Sequence, residues 1–346
     1  MLPRSRLRPV GNAGRVCGQL MTRLLTICLC WLAGWVFAVP APLSHLERVS
    51  IGGHEYVRLG DWASANRLAG GWLSKQEWRL TNGPSHLSFT VNSTKLGVNG
   101  ITVWLSAPVA CVNGAAYVAS VDLQATVQPL LWPGPARARS RAPLICLDPG
   151  HGGKDTGNLE GKKLEKEYTL ALARELAAQL RKAGYKVCQT RSWDTFIELD
   201  ERAELARRRG ADLFVSLHFN SAPGTPAKGA ELYCLTPPRT ASTNARGEGA
   251  NTGSLPGNQQ NEQNILLAFQ LQKMLVQRLG LDDRGVRRAR WAVLKNARMP
   301  AVLVEGGFMS NAAESKKIDS AAWRRELASA LTDGIRNYQR LSEPKR

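Results

Sequence analysis

From Leu144 onward, short apolar runs alternate with stretches of helical periodicity, and this alternation limits the architecture more than anything else in the chain. Leu144 to Asp148, Lys186 to Thr190, Leu213 to Leu217, Ala230 to Leu235 and Ala301 to Glu305 have the length and residue types of buried strands. Helices are predicted over about Leu164 to Ala183, Glu198 to Arg209 and Ile265 to Leu279. In the first of these, Leu172, Leu176 and Leu180 with Ala173 and Ala177 form one apolar stripe, and Gly184 stands where a helix C-cap is expected. The implied fold class is α/β: a layered domain with a mainly parallel central sheet flanked by helices, preceded by a small α+β domain. In such sheets, functional groups gather at the carboxyl ends of the strands.

The N-terminal half is organised differently. Arg4, Arg6, Arg8, Arg15 and Arg23 precede "LLTICLCWLAGWVFA", a basic segment and an apolar core of signal-peptide length, with small residues before Val39. Residues 1–38 are therefore expected to be a cleaved leader, leaving no stable membrane span. Gly53-x-x-Tyr56-Val57-x-x-x-Asp61 recurs as Gly114-x-x-Tyr117-Val118-x-x-x-Asp122, so residues 39–131 are expected to hold two copies of one unit, each a hairpin followed by a short helix. Asn-Gly pairs at 99–100 and 113–114 mark hairpin turns. "WPGPARARSRAP" has no apolar periodicity and reads as a linker at 132–142, ahead of the layered domain at 143–346. Of seven cysteines, Cys111, Cys146, Cys188 and Cys234 lie beyond the leader; none has CxxC spacing, and no metal role is expected of them.

Two histidines remain after residue 142. His151 comes three residues after the strand ending at Asp148, and His218 directly succeeds "ADLFVSL", so both emerge at one edge of the sheet. Glu305 closes "PAVLVE", and Glu165 opens the long helix. Two imidazoles with either acid make a His2Glu set of the kind that binds zinc and leaves a fourth position open. Pro149 and the glycines around His151 let the backbone turn sharply there. Other readings of "GHGGKDTG" fail: Asp148 stands where a phosphate loop begins with glycine, and Asp155 where that loop needs Ser or Thr and a dinucleotide motif its third glycine. Ser216 has no nucleophile elbow around it. Asp148 is a candidate to orient a ligand imidazole or to hold the turn. Arg191, Arg202, Asn220 and Asn311 are read as residues that hold the fold.

Five motifs in this order, "LDPGHGGKDTG", "LEKEYTLALA", "TRSWDTFIELDERAELA", "ADLFVSLHFNSA" and "PAVLVEGGFMSN", closely resemble the zinc-dependent N-acetylmuramoyl-L-alanine amidases of the type 3 family across about residues 143–340. The resemblance implies cleavage of the amide between the lactyl group of muramic acid and L-alanine in peptidoglycan. It places metal ligands on His151, Glu165 and His218, with Zn2+ as cofactor, and a catalytic glutamate on Glu305. It also selects Glu165 over Glu167, which the residues alone do not. The repeats resemble the small domain named after the copper amine oxidase N-terminus, which implies a spacer or wall-binding role and no copper.

With 43% hydrophobic and 21% charged residues, the chain is not a disordered protein. Its net charge of +18 includes five leader arginines and favours a polyanionic partner. Peptidoglycan is the expected partner, in the periplasm or wall; nucleic acid is not expected, and any activator is unidentified. Two rival readings are a non-catalytic wall- or nucleic-acid-binding protein on the same fold and a zinc peptidase that cuts the stem peptide. The polar segment 236–263 reads as a loop beside the groove.

Overall fold

In a computed structural model of the protein, residues 42–136, 142–224, 226–243 and 253–343 are described. The predicted leader and residues 137–141 of the predicted linker lie outside them. The strands are, in chain order, β1 (Arg48–Ile51), β2 (His54–Arg58), β3 (Ala69–Trp72), β4 (Glu77–Asn82), β5 (Ser85–Thr90), β6 (Lys95–Val98), β7 (Ile101–Trp104), β8 (Ala110–Val112), β9 (Ala115–Ala119), β10 (Leu144–Pro149), β11 (Leu159–Glu160), β12 (Lys163–Leu164), β13 (Lys186–Gln189), β14 (Leu213–Asn220), β15 (Ala230–Leu235), β16 (Asp283–Ala289) and β17 (Ala301–Phe308).

The repeat is a structural one. β1 and β2 form one hairpin and β8 and β9 the other, each turning on two residues with positive φ: Gly52 and Gly53, then Asn113 and Gly114. Turns of that kind match the twist of the strands they join. The copies meet through their second strands, where Val57 pairs with Val118, its own equivalent in the repeat. A symmetric register of this sort gives a four-stranded sheet, β1-β2-β9-β8, with an approximate twofold axis. The copies differ after the hairpin: Leu59–Ala65 is a short helix, whereas beyond β9 a helical run with a π turn continues from 120 to 131.

The larger sheet has eleven strands in the order β13-β10-β14-β17-β15-β16-β7-β6-β5-β4-β3. β13, β10, β14 and β17 are parallel, β15 runs antiparallel to β17, and β16 is parallel to β15. The antiparallel meander β3 to β7 joins through Val286 and Val103, the one register pair between β16 and β7. Side chains reinforce that seam: Asp283 Oδ2 accepts from the Thr102 N–H at 2.6 Å, and the Trp104 indole donates to the Arg284 carbonyl at 2.8 Å.

Alternation along the strands sorts the core into two layers. Ile145, Leu147, Val215, Leu217, Val302 and Val304 pack against Leu172, Leu176 and Leu180 of the Glu165–Lys182 helix and against the Asn261–Leu279 and Ala321–Ser342 helices. Cys146, Phe214, Tyr233 and Leu303 face the other way, toward Ala203 and Ala206 of the Leu199–Arg208 helix. All three leucines of the stripe are fully buried, worth about 1.5–3 kcal/mol each by transfer. The last long helix of the expected set begins earlier than its periodicity predicts, at Asn261 in place of Ile265, and a 3-10 turn at Pro256–Gln260 leads into it, so the segment expected to be a loop over 236–263 is helical from residue 256. No helix among the described residues is long and apolar enough to cross a membrane.

Candidate metal centre

β10 ends at Pro149, and the chain turns at once. Gly150 donates its N–H to Leu217 O on β14 at 3.0 Å, which ties the loop to the neighbouring strand end. His151 then takes φ +62°, an unusual conformation for a residue with a Cβ. Strain of this kind persists where the surroundings fix it. They do so here: Arg202 donates to the carbonyls of Pro149 and His151, and Arg191 donates to those of Pro149 and Gly150. Both guanidinium groups are buried, so the expectation that these arginines hold the fold is met in the backbone of the histidine loop itself.

His218 reaches the same place from β14. Glu165 arrives at the first turn of its helix, after the hairpin of β11 and β12. His151 Nε2 lies 3.1 Å from Glu165 Oε2, and His218 Nδ1 lies 3.0 Å from Glu165 Oε1. The three ligand atoms fall within 4.8 Å of one another. A tetrahedral zinc site with bonds of about 2.0–2.2 Å spaces its ligands by roughly 3.4 Å, so small side-chain movements would admit the ion. Glycines make the approach possible. A Cβ on Gly150 would overlap the His218 ring, and one on Gly157 would lie 2.6 Å from His151 Cδ2 and 2.7 Å from Glu165 Oε2.

Charge and hydrogen bonding suit a cation. Glu165 is almost wholly buried, yet its carboxylate also accepts from the backbone N–H groups of Asn158 and Phe219. Burial works against its charge, but His151 and His218 outweigh that and hold the carboxyl well below the usual carboxylate range. Burial likewise works against protonated His151, while Glu165 and then Asp155 more than offset it, so this ring titrates above its ordinary value. Asp155 Oδ2 sits 2.9 Å from His151 Nδ1. A proton there leaves the Nε2 lone pair facing Glu165, the usual arrangement behind a metal-bound histidine.

Asp148 does not take that part. Its carboxylate accepts from Thr190, Arg202 and Ser216 at 2.6, 3.0 and 2.7 Å, inside the layer between the sheet and the Leu199–Arg208 helix. The acid that orients the imidazole is Asp155, for which the sequence offers only its position four residues after His151 as a signal. Asn220 donates to Glu231 at 2.6 Å, and Asn311 caps the Ala312–Asp319 helix.

Glu305 lies on β17, paired in register with His218 on one side and with Glu231 of β15 on the other. Its Oε2 is out of contact with solvent and has no hydrogen-bond partner. Burial, then the charges of Glu165 and Glu231, push its carboxyl well above the ordinary value. A carboxylate oxygen buried without a partner is costly, which makes Glu305 a candidate for exchanging protons with something bound beside it. Glu231 is not among the residues that the sequence singles out; an acid inside the apolar run "AELYCL" is the one signal it leaves.

Comparison with known proteins identifies relatives of this chain. A model of the Amidase_3 family, N-acetylmuramoyl-L-alanine amidase, matches residues 145–337. The N-acetylmuramoyl-L-alanine amidase AmiC of Neisseria meningitidis serogroup B is 36% identical over 237 residues, which cover 62% of this chain and 57% of that protein. LytC of Bacillus subtilis, an amidase of the same name, is 35% identical over 196 residues, 57% of this chain and 35% of that one. The solved catalytic domain of CwlV, an N-acetylmuramoyl-L-alanine amidase from Bacillus (Paenibacillus) polymyxa var. colistinus, is 30% identical with a TM-score of 0.48 and covers 57% of this chain and 99% of its own. The chain thus spans little more than half of the AmiC relative and about a third of LytC.

Proposed function

The chain belongs to the N-acetylmuramoyl-L-alanine amidase family, and from that premise we propose that it hydrolyses the amide between the lactyl group of muramic acid and L-alanine in peptidoglycan. The observation that carries this reading is the convergence of His151, Glu165 and His218 within 4.8 Å, with Glu305 paired beside His218 on the next strand.

Zinc held by His151, Glu165 and His218 would supply Lewis-acid polarisation of the lactyl carbonyl and of the attacking water. The remaining work falls to the chain's own residues. Glu305 takes a proton from the water as its oxygen adds to the carbonyl carbon. It then delivers that proton to the nitrogen of L-alanine as the C–N bond breaks, so one group serves as base and then as acid. A carboxyl raised by burial and by the charges of Glu165 and Glu231 suits the second task, and a cation held by His151, Glu165 and His218 would offset those charges and favour the ionised form that the first task needs. Asp155 keeps His151 in one tautomer and orientation, and Arg202 and Arg191 keep the loop that carries it from relaxing.

Residues 1–38 are proposed to direct export, placing the mature chain in the periplasm or wall. The part of the chain at 39–131 is proposed to serve as a spacer or wall-binding module; the segment 132–142 is its covalent link, and the pairing of β7 with β16 joins it to the catalytic sheet directly. A digest of purified muropeptide tests the central claim. Mass spectrometry is expected to show released peptides that begin with L-alanine, together with one zinc per chain in the wild type and loss of that zinc in His218→Ala. Fragments that keep L-alanine on the sugar would identify a stem-peptide peptidase and overturn the assignment.

A further inference from the structure

The face of the sheet that carries Glu305 does not end at the metal centre. Glu305 pairs with Glu231, whose carboxylate lies 3.1 Å from Arg284 Nε and 2.9 Å from Arg287 Nε on β16. One strand further on, the Arg287 guanidinium lies over the ring of Trp104 at 4.5 Å, and Lys95 Nζ lies 5.3 Å from the centroid of that ring. Lys95, Thr102, Trp104, Asp283, Arg284 and Arg287 line a cleft of about 200 Å³ on the seam between β16 and β7.

The cleft is built, and its charge is unbalanced. Gly285, at φ +89°, lets the strand pass close to Trp104; a Cβ there would lie 2.8 Å from Trp104 Nε1 and 2.9 Å from Thr102 O. Asp283 is spent on structure, accepting from Thr102, Gln272 and Gly285. Glu231 is shared by both arginines. Among the described residues Lys95 lies against the Trp104 ring and in no ion pair, and both arginines approach the same Glu231 oxygen through Nε. Three cations therefore face one structural acid and one shared acid.

We propose, resting on the amidase reading above, that this cleft binds a carboxylate of the stem peptide on the L-alanine side of the scissile amide. Sugar is the poorer occupant, because stacking needs an open ring face and Trp104 is already attended by Arg287 and Lys95. The spacing also suits a peptide. Three strand intervals separate β17 from β7, about 14 Å, and an extended peptide advances about 3.5 Å per residue. A stem running across the strands from Glu305 brings a carboxylate of its third or fourth residue over the cleft. In this arrangement β6 and β7 of the N-terminal half complete a substrate site that the catalytic strands begin.

Titration of the full-length protein with a synthetic stem tetrapeptide that begins with L-alanine, free acid against fully amidated, reads the subsite without requiring turnover. The wild type is expected to prefer the acid, with Lys95→Gln weakening that peptide roughly threefold and the more buried Arg287→Gln roughly tenfold while both leave the amide unchanged. On intact muropeptide, Lys95→Gln is expected to raise KM by a similar factor and leave kcat alone. Equal binding of acid and amide by the wild type, or equal loss of both in Lys95→Gln, overturns the proposal. A wild type that binds the acid selectively but releases no L-alanine-terminated peptide upholds the subsite as an anion site and refutes the amidase reading instead.

Discussion

Asp155→Asn separates orientation of the metal centre from the metal centre itself. Asp155 Oδ2 meets His151 Nδ1 at 2.9 Å, while Oδ1 accepts the Gly157 N–H at 3.1 Å. Asparagine can keep the second bond and removes the charge from the first. Loss of a carboxylate behind a metal-bound histidine costs about 10- to 100-fold in affinity or activity. The lower end applies here, because the Asp155 side chain is 36% exposed and water shares its charge. A tenfold loss of zinc affinity, about 1.4 kcal/mol, is therefore expected by competition against a chromophoric chelator. Mildly alkaline buffer is the right condition, since His151 titrates above its ordinary value and protons compete with metal at lower pH. Thermal unfolding of the metal-free protein is expected to change little. Zinc affinity within twofold of the wild type would show that His151 is oriented by its backbone alone and would refute the role given to Asp155.

Glu305→Gln is expected to retain zinc while losing at least about a hundredfold in kcat, and, compared metal-free, to be no less stable than the wild type near neutral pH. The reason is the sign of the shift: a carboxyl raised in the folded state favours folding below its unfolded pKa and loses that contribution as pH rises through the folded value. Near-normal turnover of muropeptide would remove Glu305 from the mechanism. Gly150→Ala forces a methyl group into the His218 ring, so metal content should fall along with the melting temperature; a zinc-replete, active variant would contradict the packing described. Asp122, buried and raised to about 6, should make the protein about 1 kcal/mol more stable at pH 5 than at pH 7 relative to Asp122→Asn, measured by urea unfolding. Parallel pH profiles in the two proteins would count against that shift.

Legibility in the sequence divides along the range of the interactions. The histidine loop is readable because its causes are local: an apolar run, then Pro149 and three nearby glycines, then a residue that must adopt positive φ. The Asn-Gly turns and the repeat are readable for the same reason. The role of Asp148 is not, because it depends on which face of β10 the side chain occupies, and there Thr190, Arg202 and Ser216 take up its oxygens. The start of the Asn261–Leu279 helix is hidden because buried polar side chains stand where an amphipathic pattern would place apolar ones. Gln263 Oε1 accepts from the Tyr338 hydroxyl and Asn264 Oδ1 from the Ala301 N–H, so both pack inside without an apolar signature. The junction of β7 with β16 leaves no trace in either segment, since it rests on one register pair and two bonds between residues about 180 positions apart.

At that junction the two repeat copies differ in what they hold. Asp61 and Asp122 are equivalent in the repeat, yet Asp61 stays near the surface with Arg58 while Asp122 is buried. Asp122 accepts from the Ser106 N–H and hydroxyl and from the Ala107 N–H, and so it pins the chain just after β7. The helical run beyond it receives Arg288 of β16, whose guanidinium donates to Thr126 at 3.2 Å and to Ala125 O at 2.6 Å. One copy therefore grips both strands of the seam, and the other has no such duty. Arg288 is next in the chain to Arg287, whose contact with Trp104 forms the cleft wall, so a fault in the grip should be felt at the cleft. Arg288→Met keeps much of the stem and removes the donors, leaving Ala125 O and Thr126 short of partners in a dry interior. Its expected outcome is a loss of about 2–4 kcal/mol in stability, with a rise in KM at temperatures where the variant is still folded and its zinc content is unchanged. A variant equally destabilised but with wild-type KM would show that the catalytic half alone shapes the substrate site.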